Sequence, residues 1–259
     1  MRSVAATCLA AFGLLLSVVS SAFAATGPTA IAVQAAAPSR AVYGSDGREH
    51  IEYDLVITNA FTAPVTLTSL QVRGDGRTLL TLTGNALAAK TFPGPYFAAS
   101  TPTAVIPIGS TVVSFIDVAL PRSAGRTPPQ QLTNLLSYSL PSTAPAGSAI
   151  GSNLVRLLLP TDPIRPLLIS SPLRGSGWIA VNGCCADPTS SHRNLLLPTT
   201  SGAFVTPELF AVDWIREVKG FYFHGDGSKV TDWLDYGTPV LAVADGTVVT
   251  AINDRPQLL

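Results

Sequence analysis

Apolar and polar residues alternate in short runs along the first half of the chain. Between residues 31 and 120, β-branched or aromatic residues recur at every second position in HIEYDLVITN, APVTLTSLQVRGDG, RTLLTLTG and STVVSFIDVALP. Turn residues separate these runs, including Gly74-Asp75-Gly76 and Gly84-Asn85. A period of two places one face of each strand against a core. The pattern predicts a mostly β chain that begins with an antiparallel, immunoglobulin-like β-sandwich and has little helix.

Prolines crowd the next part of the chain, residues 121–175, and interrupt two apolar pieces, LTNLLSYSL and NLVRLLLP. Proline cannot donate a backbone hydrogen bond and is disfavoured in central strands. We therefore expect these pieces to be the last, edge strands of the sandwich, followed by a semi-rigid linker. The predicted division is a sandwich domain at residues 25–160, a linker at 161–183 and a second β domain at 184–259.

The N-terminus has the features of a secretory signal peptide. Arg2 precedes an apolar run from Val4 to Val19, and Ala22-Phe23-Ala24 supplies small residues for cleavage after Ala24. A retained membrane anchor is the alternative, but the run is short and no basic stop-transfer segment follows it. Residues 1–24 are thus expected to be removed and the protein exported, to the periplasm or the cell exterior. No other stretch of the sequence could span a membrane.

Composition narrows the classes of partner. Lys plus Arg equals Asp plus Glu at 16 each, and only 12% of the 259 residues are charged, which disfavours nucleic-acid binding. Loss of Cys8 with the signal peptide leaves only Cys184-Cys185, too few for a disulfide framework. Adjacent cysteines rarely pair with each other, because the ring would strain the peptide between them.

Nearly all residues that could carry chemistry follow Gly183. They are Cys184, Cys185, His192, Asp213, His224, Asp226, Asp232 and Asp235. His50 stands alone on a predicted strand, and we expect a half-exposed surface histidine there. The sequence has no G-x-S-x-G elbow, phosphate loop, H-E-x-x-H helix or C-x-x-C pair.

The segment ELFAVDWIR and the later FHGDGSKVTDWLDYGTPVLAVADGTVV resemble the front half of the lysostaphin/LytM-type zinc peptidases. These peptidoglycan endopeptidases have a mostly antiparallel β domain with a G-T-P-V-x-A-x-x-D-G-x-V hairpin. Gly237-Thr238-Pro239-Val240, Ala242, Asp245-Gly246 and Val248 match that hairpin, although biotinyl and lipoyl carrier hairpins share part of it. The resemblance implies a peptidase-like β domain, a bound Zn²⁺ and a peptidoglycan or other cell-envelope partner.

The resemblance also implies two zinc ligands, His192 and Asp213. In the family a histidine precedes the ligand aspartate by four positions; Asp213 fits the aspartate, but Leu209 stands at the histidine position. His192 in SSHRNLLLP is the substitute, since an imidazole and a carboxylate suit a catalytic zinc. The alternatives are a loop histidine that caps backbone groups and a strand-end aspartate that holds a turn with Arg216. A second metal alternative, Cys184 and Cys185 with His192, is disfavoured, and His224 is assigned to a Gly-Asp-Gly turn.

The third zinc ligand and the catalytic histidine of the family come from an H-x-H motif that this sequence lacks. Its histidines are His50, His192 and His224, and five residues follow Asp254. We therefore expect a peptidase-like domain that is truncated before the motif and inactive as given, and we assign no catalytic residue. The alternatives are a non-catalytic protein that binds or regulates envelope components and a surface adhesion module.

Overall fold

The structure of the protein, a computed structural model, describes residues 27–44, 46–94, 101–121, 127–144, 153–164, 167–183, 192, 195–208 and 211–254. The predicted signal peptide, its cleavage point and Cys184-Cys185 lie outside these residues. In the described part of the chain, no helix has the length and hydropathy needed to cross a membrane.

Ten strands form one large, curled sheet. They are β1 (Ile31–Ala35), β2 (Ser39–Tyr43), β3 (Arg48–Asn59), β4 (Val65–Gly74), β5 (Arg77–Thr83), β6 (Thr91–Gly94), β7 (Val105–Ile106), β8 (Thr111–Pro121), β9 (Gln131–Ser139) and β10 (Leu154–Asp162). Their order is β5-β4-β9-β10-β2-β3-β8-β6, with β1 beside β3 and β7 beside β4. All pairs are antiparallel except β10 with β2. The mostly β class and the four alternating strands predicted from the sequence, β3, β4, β5 and β8, are confirmed.

The remaining elements are short. They are helix α1 (Gly84–Ala88), strands β11 (Trp178–Gly183), β12 (Leu197–Pro198), β13 (Phe204–Val205) and β14 (Val212–Arg216), and a 3₁₀ helix at Val230–Asp232. Strand β11 pairs with β14, and β12 with β13. The predicted turn at Gly74-Asp75-Gly76 is present, with φ of 49° at Asp75 and 73° at Gly76. The turn predicted at Gly84-Asn85 is wrong, because α1 begins there.

The curl of the sheet encloses one main core. Alternate residues of β3 point into it and meet apolar residues from the other half of the sheet. Tyr53 and Asn134 lie within this core, where the Tyr53 hydroxyl donates a 2.7 Å hydrogen bond to Asn134 Oδ1. The fully buried members with the largest side chains include Ile51, Leu55, Ile57, Leu70, Ile116, Leu132 and Leu136.

The prolines do not exclude the strands around them from the middle of the sheet. Strand β9 lies between β4 and β10, and β10 lies between β9 and β2, so the expectation that both are edge strands is wrong. Most prolines flank these strands, and the one inside β10, Pro160, marks a change of partner. Residues up to Pro160 pair with β9, whereas Thr161 and Asp162 pair with β2. A missing N–H is tolerated there because the strand changes neighbours at that point.

The hairpin predicted at Gly237–Val248 is also not formed. Residues 238–254 contain no strand, and Val248 and Val249 are 82% and 91% exposed. The first predicted hairpin strand instead meets the predicted linker: Leu241 N donates to Pro172 O at 2.8 Å, and Ser170 N to Val243 O at 2.8 Å. Pro172 has no N–H to extend this antiparallel contact, which explains why it stays so short.

A second, smaller core lies on the outer face of the curled sheet. Val56, Phe92, Val113 and Phe115 form it together with Ala36. Leu196, which is 4% exposed, joins this core, and Phe204 packs against it. These contacts attach the β12–β13 hairpin to the large sheet.

Core packing predicts that two leucine-to-alanine substitutions differ in their effect on the free energy of unfolding. Leu136 is fully buried, so Leu136→Ala should lower the free energy of unfolding by roughly 2–5 kcal/mol, through lost burial and a cavity. Leu168 is 92% exposed, so Leu168→Ala should change it by less than about 0.5 kcal/mol. Urea unfolding followed by circular dichroism measures both, and equal costs would contradict the described packing.

Candidate functional site

A two-stranded ribbon carries Asp213. Strand β11 pairs with β14 from Trp178 opposite Arg216 to Gly183 opposite Val212, with an irregularity between Ala180 and Asn182. Gly177 starts the ribbon at a φ of 86°, and a side chain there would meet the backbone oxygen of Glu217. Only glycine fits this close approach, which sets where the ribbon begins.

His192 and Asp213, the two ligands predicted from the sequence, lie together. His192 Nε2 is 3.3 Å from Asp213 Oδ2, and the histidine side chain is 10% exposed against 54% for the aspartate. Asn182, opposite Asp213 on the ribbon, donates a 3.2 Å hydrogen bond to the same Oδ2. Among the described residues no salt bridge joins Asp213 to Arg216, and the Arg216 guanidinium lies 5.9 Å from the centre of the Trp178 ring.

The geometry of this pair fits a shared cation. His192 Nδ1 lies 3.0 Å from the carbonyl oxygen of Ala211, which can only accept, so Nδ1 carries a proton. When the ring is neutral, Nε2 then presents its lone pair to Asp213, the arrangement usual for metal-bound histidines. Two ligands on a tetrahedral zinc with bonds of about 2.0–2.1 Å lie about 3.3–3.4 Å apart. The 3.3 Å distance between Nε2 and Oδ2 agrees with this distance between two zinc ligands. A proton on Nε2 that is donated to Asp213 is the alternative explanation of the same distance.

A catalytic zinc needs three protein ligands, whereas this pair consists of two candidate side chains. Among the described residues, no third His, Cys, Asp or Glu side chain joins His192 and Asp213 in a metal-sized group. His224 belongs to no such group in the described part of the chain, and its backbone N–H bonds to the Asp232 carbonyl oxygen at 2.9 Å. The Gly225-Asp226-Gly227 turn is confirmed, and the Ser228 N–H that bonds to Asp226 lowers the pKa of this exposed carboxyl group.

A second cluster of ionisable side chains lies on the outer face of the large sheet. His50 and Glu52 are two positions apart on β3, and Asp117 on β8 is the cross-strand partner of Glu52. Ligand atoms of these three residues all lie within 4.8 Å of one another. His50 Nδ1 is 2.8 Å from Asp117 Oδ1, and Nε2 is 3.2 Å from both carboxylate oxygens of Asp46.

The prediction of an isolated, half-exposed His50 is therefore wrong. Its side chain is only 18% exposed and lies between two carboxylates. One signal was available in the sequence, since the spacing of His50 and Glu52 places both on one face of a strand. The aspartate on β8 could not be found in this way, because Glu52 and its cross-strand partner Asp117 are 65 residues apart in the sequence.

The carboxylates control the charge of His50. The hydrogen bond to Asp117 raises the pKa of the imidazole, with a further contribution from Asp46, and partial burial opposes the shift. The pKa of Asp46 is lowered, first by the hydrogen bond from the Arg48 backbone N–H and then by His50. Gly44 lets the turn approach this closely, because a side chain there would come within 2.6 Å of Asp46 Oδ1 and 2.9 Å of the His50 ring.

In comparisons with known proteins, no family model and no curated sequence matches this chain.

The His50–Asp117 contact predicts a change in titration. Asp117→Asn should lower the pKa of His50, because the largest cause that raises it is removed. In the parent protein the contact stabilises the fold below the ordinary histidine pKa, and this contribution is lost as pH rises through the raised value. Histidine-labelled NMR spectra from pH 5 to 9 measure the shift. Asp226→Asn removes a remote carboxylate as the control, and an unmoved His50 pKa in D117N would contradict the contact.

Proposed function

We propose that the protein is an exported, peptidase-like protein of the lysostaphin/LytM type, in which His192 and Asp213 hold Zn²⁺. The observation that carries the proposal is the 3.3 Å approach of His192 Nε2 to Asp213 Oδ2. These residues lie 21 positions apart in sequence and were selected by resemblance alone, so their proximity supports the ligand assignment.

The chain supplies orientation as well as ligands. The Ala211 carbonyl fixes the His192 tautomer, and Asn182 holds the Asp213 carboxylate. Outer contacts of this kind hold metal ligands in position and tune their basicity. A zinc bound in the family manner would polarise an amide carbonyl and acidify a water molecule. Peptide hydrolysis also requires a general base, and the sequence contains no H-x-H to provide it, so we propose no hydrolytic activity for these 259 residues.

The large sheet has a scaffold role in this proposal. We assign it to the immunoglobulin-like sandwiches, because antiparallel strands from its two ends face one apolar core. Leu196 packs on its outer face four positions after His192. This contact supports our proposal that the sheet anchors the segment that carries the metal ligand.

Zinc binding at His192 is directly testable. In the protein from residue 25 to 259, added Zn²⁺ should shift the His192 ring nitrogen signals, and Asp213→Asn should weaken this binding at least about tenfold. Asp226→Asn is the matched control and should leave binding unchanged. The same protein with zinc should release no soluble fragments from purified peptidoglycan. Unchanged His192 signals would reject the zinc assignment, whereas zinc-dependent release would reject the missing-base argument.

A second candidate function, non-catalytic binding to the cell envelope, is favoured by an open groove on the other end of the sheet. The groove, of about 600 Å³, is lined by two arginines, Arg73 and Arg156, and by polar residues that include Gln130, Gln131 and Thr133. Asp75 is the acidic residue of its lining. Guanidinium groups bind carboxylates through paired hydrogen bonds, and the peptides of the bacterial cell wall carry free carboxylates.

Cosedimentation with insoluble peptidoglycan tests this second candidate. We expect the 25–259 protein to sediment with the wall material, and the R73Q/R156Q double variant to stay largely in solution. The R174Q variant removes an arginine outside the groove and should bind as the parent does. Equal sedimentation of all three proteins would exclude the groove as the binding surface.

A further inference from the structure

We propose that His50, Glu52 and Asp117 form a binding site for a divalent transition-metal ion, with Zn²⁺ as the probe. This site lies on β3 and β8 and shares no residue with His192 and Asp213, so the proposal stands independently of the function proposed above. One imidazole and two carboxylates are a ligand set that zinc accepts. Their ligand atoms already lie within 4.8 Å of one another, on two strands that pair over eleven positions.

The placement of the ligands follows from the strand register. Glu52 and Asp117 are direct cross-strand partners, and His50 follows Glu52 on the same face after two positions. A rigid sheet therefore holds all three backbone positions, and only side-chain rotation is needed to surround an ion. His50 Nδ1 and Asp117 Oδ1 are now 2.8 Å apart, a hydrogen-bond distance. They must move apart by about 0.5 Å to reach the distance between two ligands of a tetrahedral zinc.

The two ring nitrogens of His50 have different roles in this site. Nδ1 faces Asp117 and is the ligand, while Nε2 faces the Asp46 carboxylate at 3.2 Å. When Nδ1 binds the ion, Nε2–H donates to Asp46, the carboxylate–histidine–metal arrangement that orients metal-bound imidazoles. Asp46 thereby acts as a positioning residue on the turn that Gly44 brings close to the ring.

The surrounding charges favour a cation. Asp46, Glu52 and Asp117 supply three carboxylates, whereas Arg48 is the cation beside Asp46 and its side chain bonds to the Ala119 carbonyl oxygen. Arg40 on β2 is opposite Glu52, and its Nε bonds to Asp162 Oδ2 on β10 at 3.0 Å. With His50 neutral, the three carboxylates outnumber the two arginines beside them, and a divalent ion would balance the difference. The exposed fractions of the Asp117 and Asp46 side chains, 36% and 49%, leave the ion a route from solvent.

A proton and the metal compete for the same imidazole nitrogen. Because Asp117 and Asp46 raise the pKa of His50, zinc must displace a proton that is held more firmly than usual. Affinity for zinc should consequently increase as the pH rises through the His50 pKa and level off above it. The other charged groups on β2, β3, β8 and the turn are Arg40, Asp46, Arg48, Glu49, Glu52, Asp54 and Asp117, and Asp162 on β10 pairs with Arg40.

Zinc titration of a protein that lacks the other proposed site tests the inference. The 25–259 chain with H192A and D213N is titrated with Zn²⁺ by calorimetry and by NMR of the His50 ring. We expect one zinc per chain, a shift of the His50 Nδ1 signal, and affinity that falls as the pH is lowered. Adding E52Q should weaken binding at least about tenfold, whereas adding D226N should not.

Two results would overturn the site: no effect of excess Zn²⁺ on the His50 signals, or E52Q binding zinc as tightly as its parent. Circular dichroism and the melting temperature without zinc show whether E52Q remains folded. If E52Q is unstable, D117E, which keeps a carboxylate but changes its reach, takes its place. In that case, an affinity equal to that of the parent would exclude Asp117 as a ligand.

Discussion

The alternation of side chains along β3 is the constraint on which the rest of the structure depends. Residues 51, 53, 55 and 57 point into the main core, while His50, Glu52 and Val56 lie on the other face. Since successive residues of a strand face opposite sides, one register sets both faces at once. A slip of one residue against β8 would bury His50 and Glu52 and expose four core side chains. Folding of the apolar core therefore also assembles the His50 cluster.

A buried polar contact also crosses the core. Tyr53 lies on β3 and Asn134 on β9, and their 2.7 Å hydrogen bond joins strands from opposite parts of the sheet. Burial raises the pKa of the Tyr53 hydroxyl, so it remains a neutral donor. The bond from Tyr53 satisfies Asn134 Oδ1, whereas Asn134 Nδ2 has no partner among the described residues. Loss of a buried partner costs more than the bond itself contributes.

Much of the large sheet could be predicted from the sequence, because its strands alternate within single runs of residues. The curl, the interior position of β9 and β10, and the His50 cluster could not, since each depends on pairing between distant segments. The predicted hairpin is absent for a related reason. Its motif is local, whereas Leu241 bonds to Pro172, which lies in a distant segment of the chain. The proximity of His192 and Asp213 was anticipated through resemblance to a family; spacing alone would not have paired them.

The outer face of the sheet shows how one surface can support two sites. Near His50 it is polar and partly exposed, whereas near Val56 it is apolar and covered by Leu196 and Phe204. Burial of Leu196 and Phe204 stabilises the contact between the β12–β13 hairpin and the sheet, at about 25 cal/mol for each Å² of apolar surface removed from water. His192 precedes Leu196 by four positions in the sequence, so the hairpin that packs here follows one candidate side chain closely. The apolar part of the face thus holds the hairpin next to His192 in the sequence, and the polar part carries the His50 cluster.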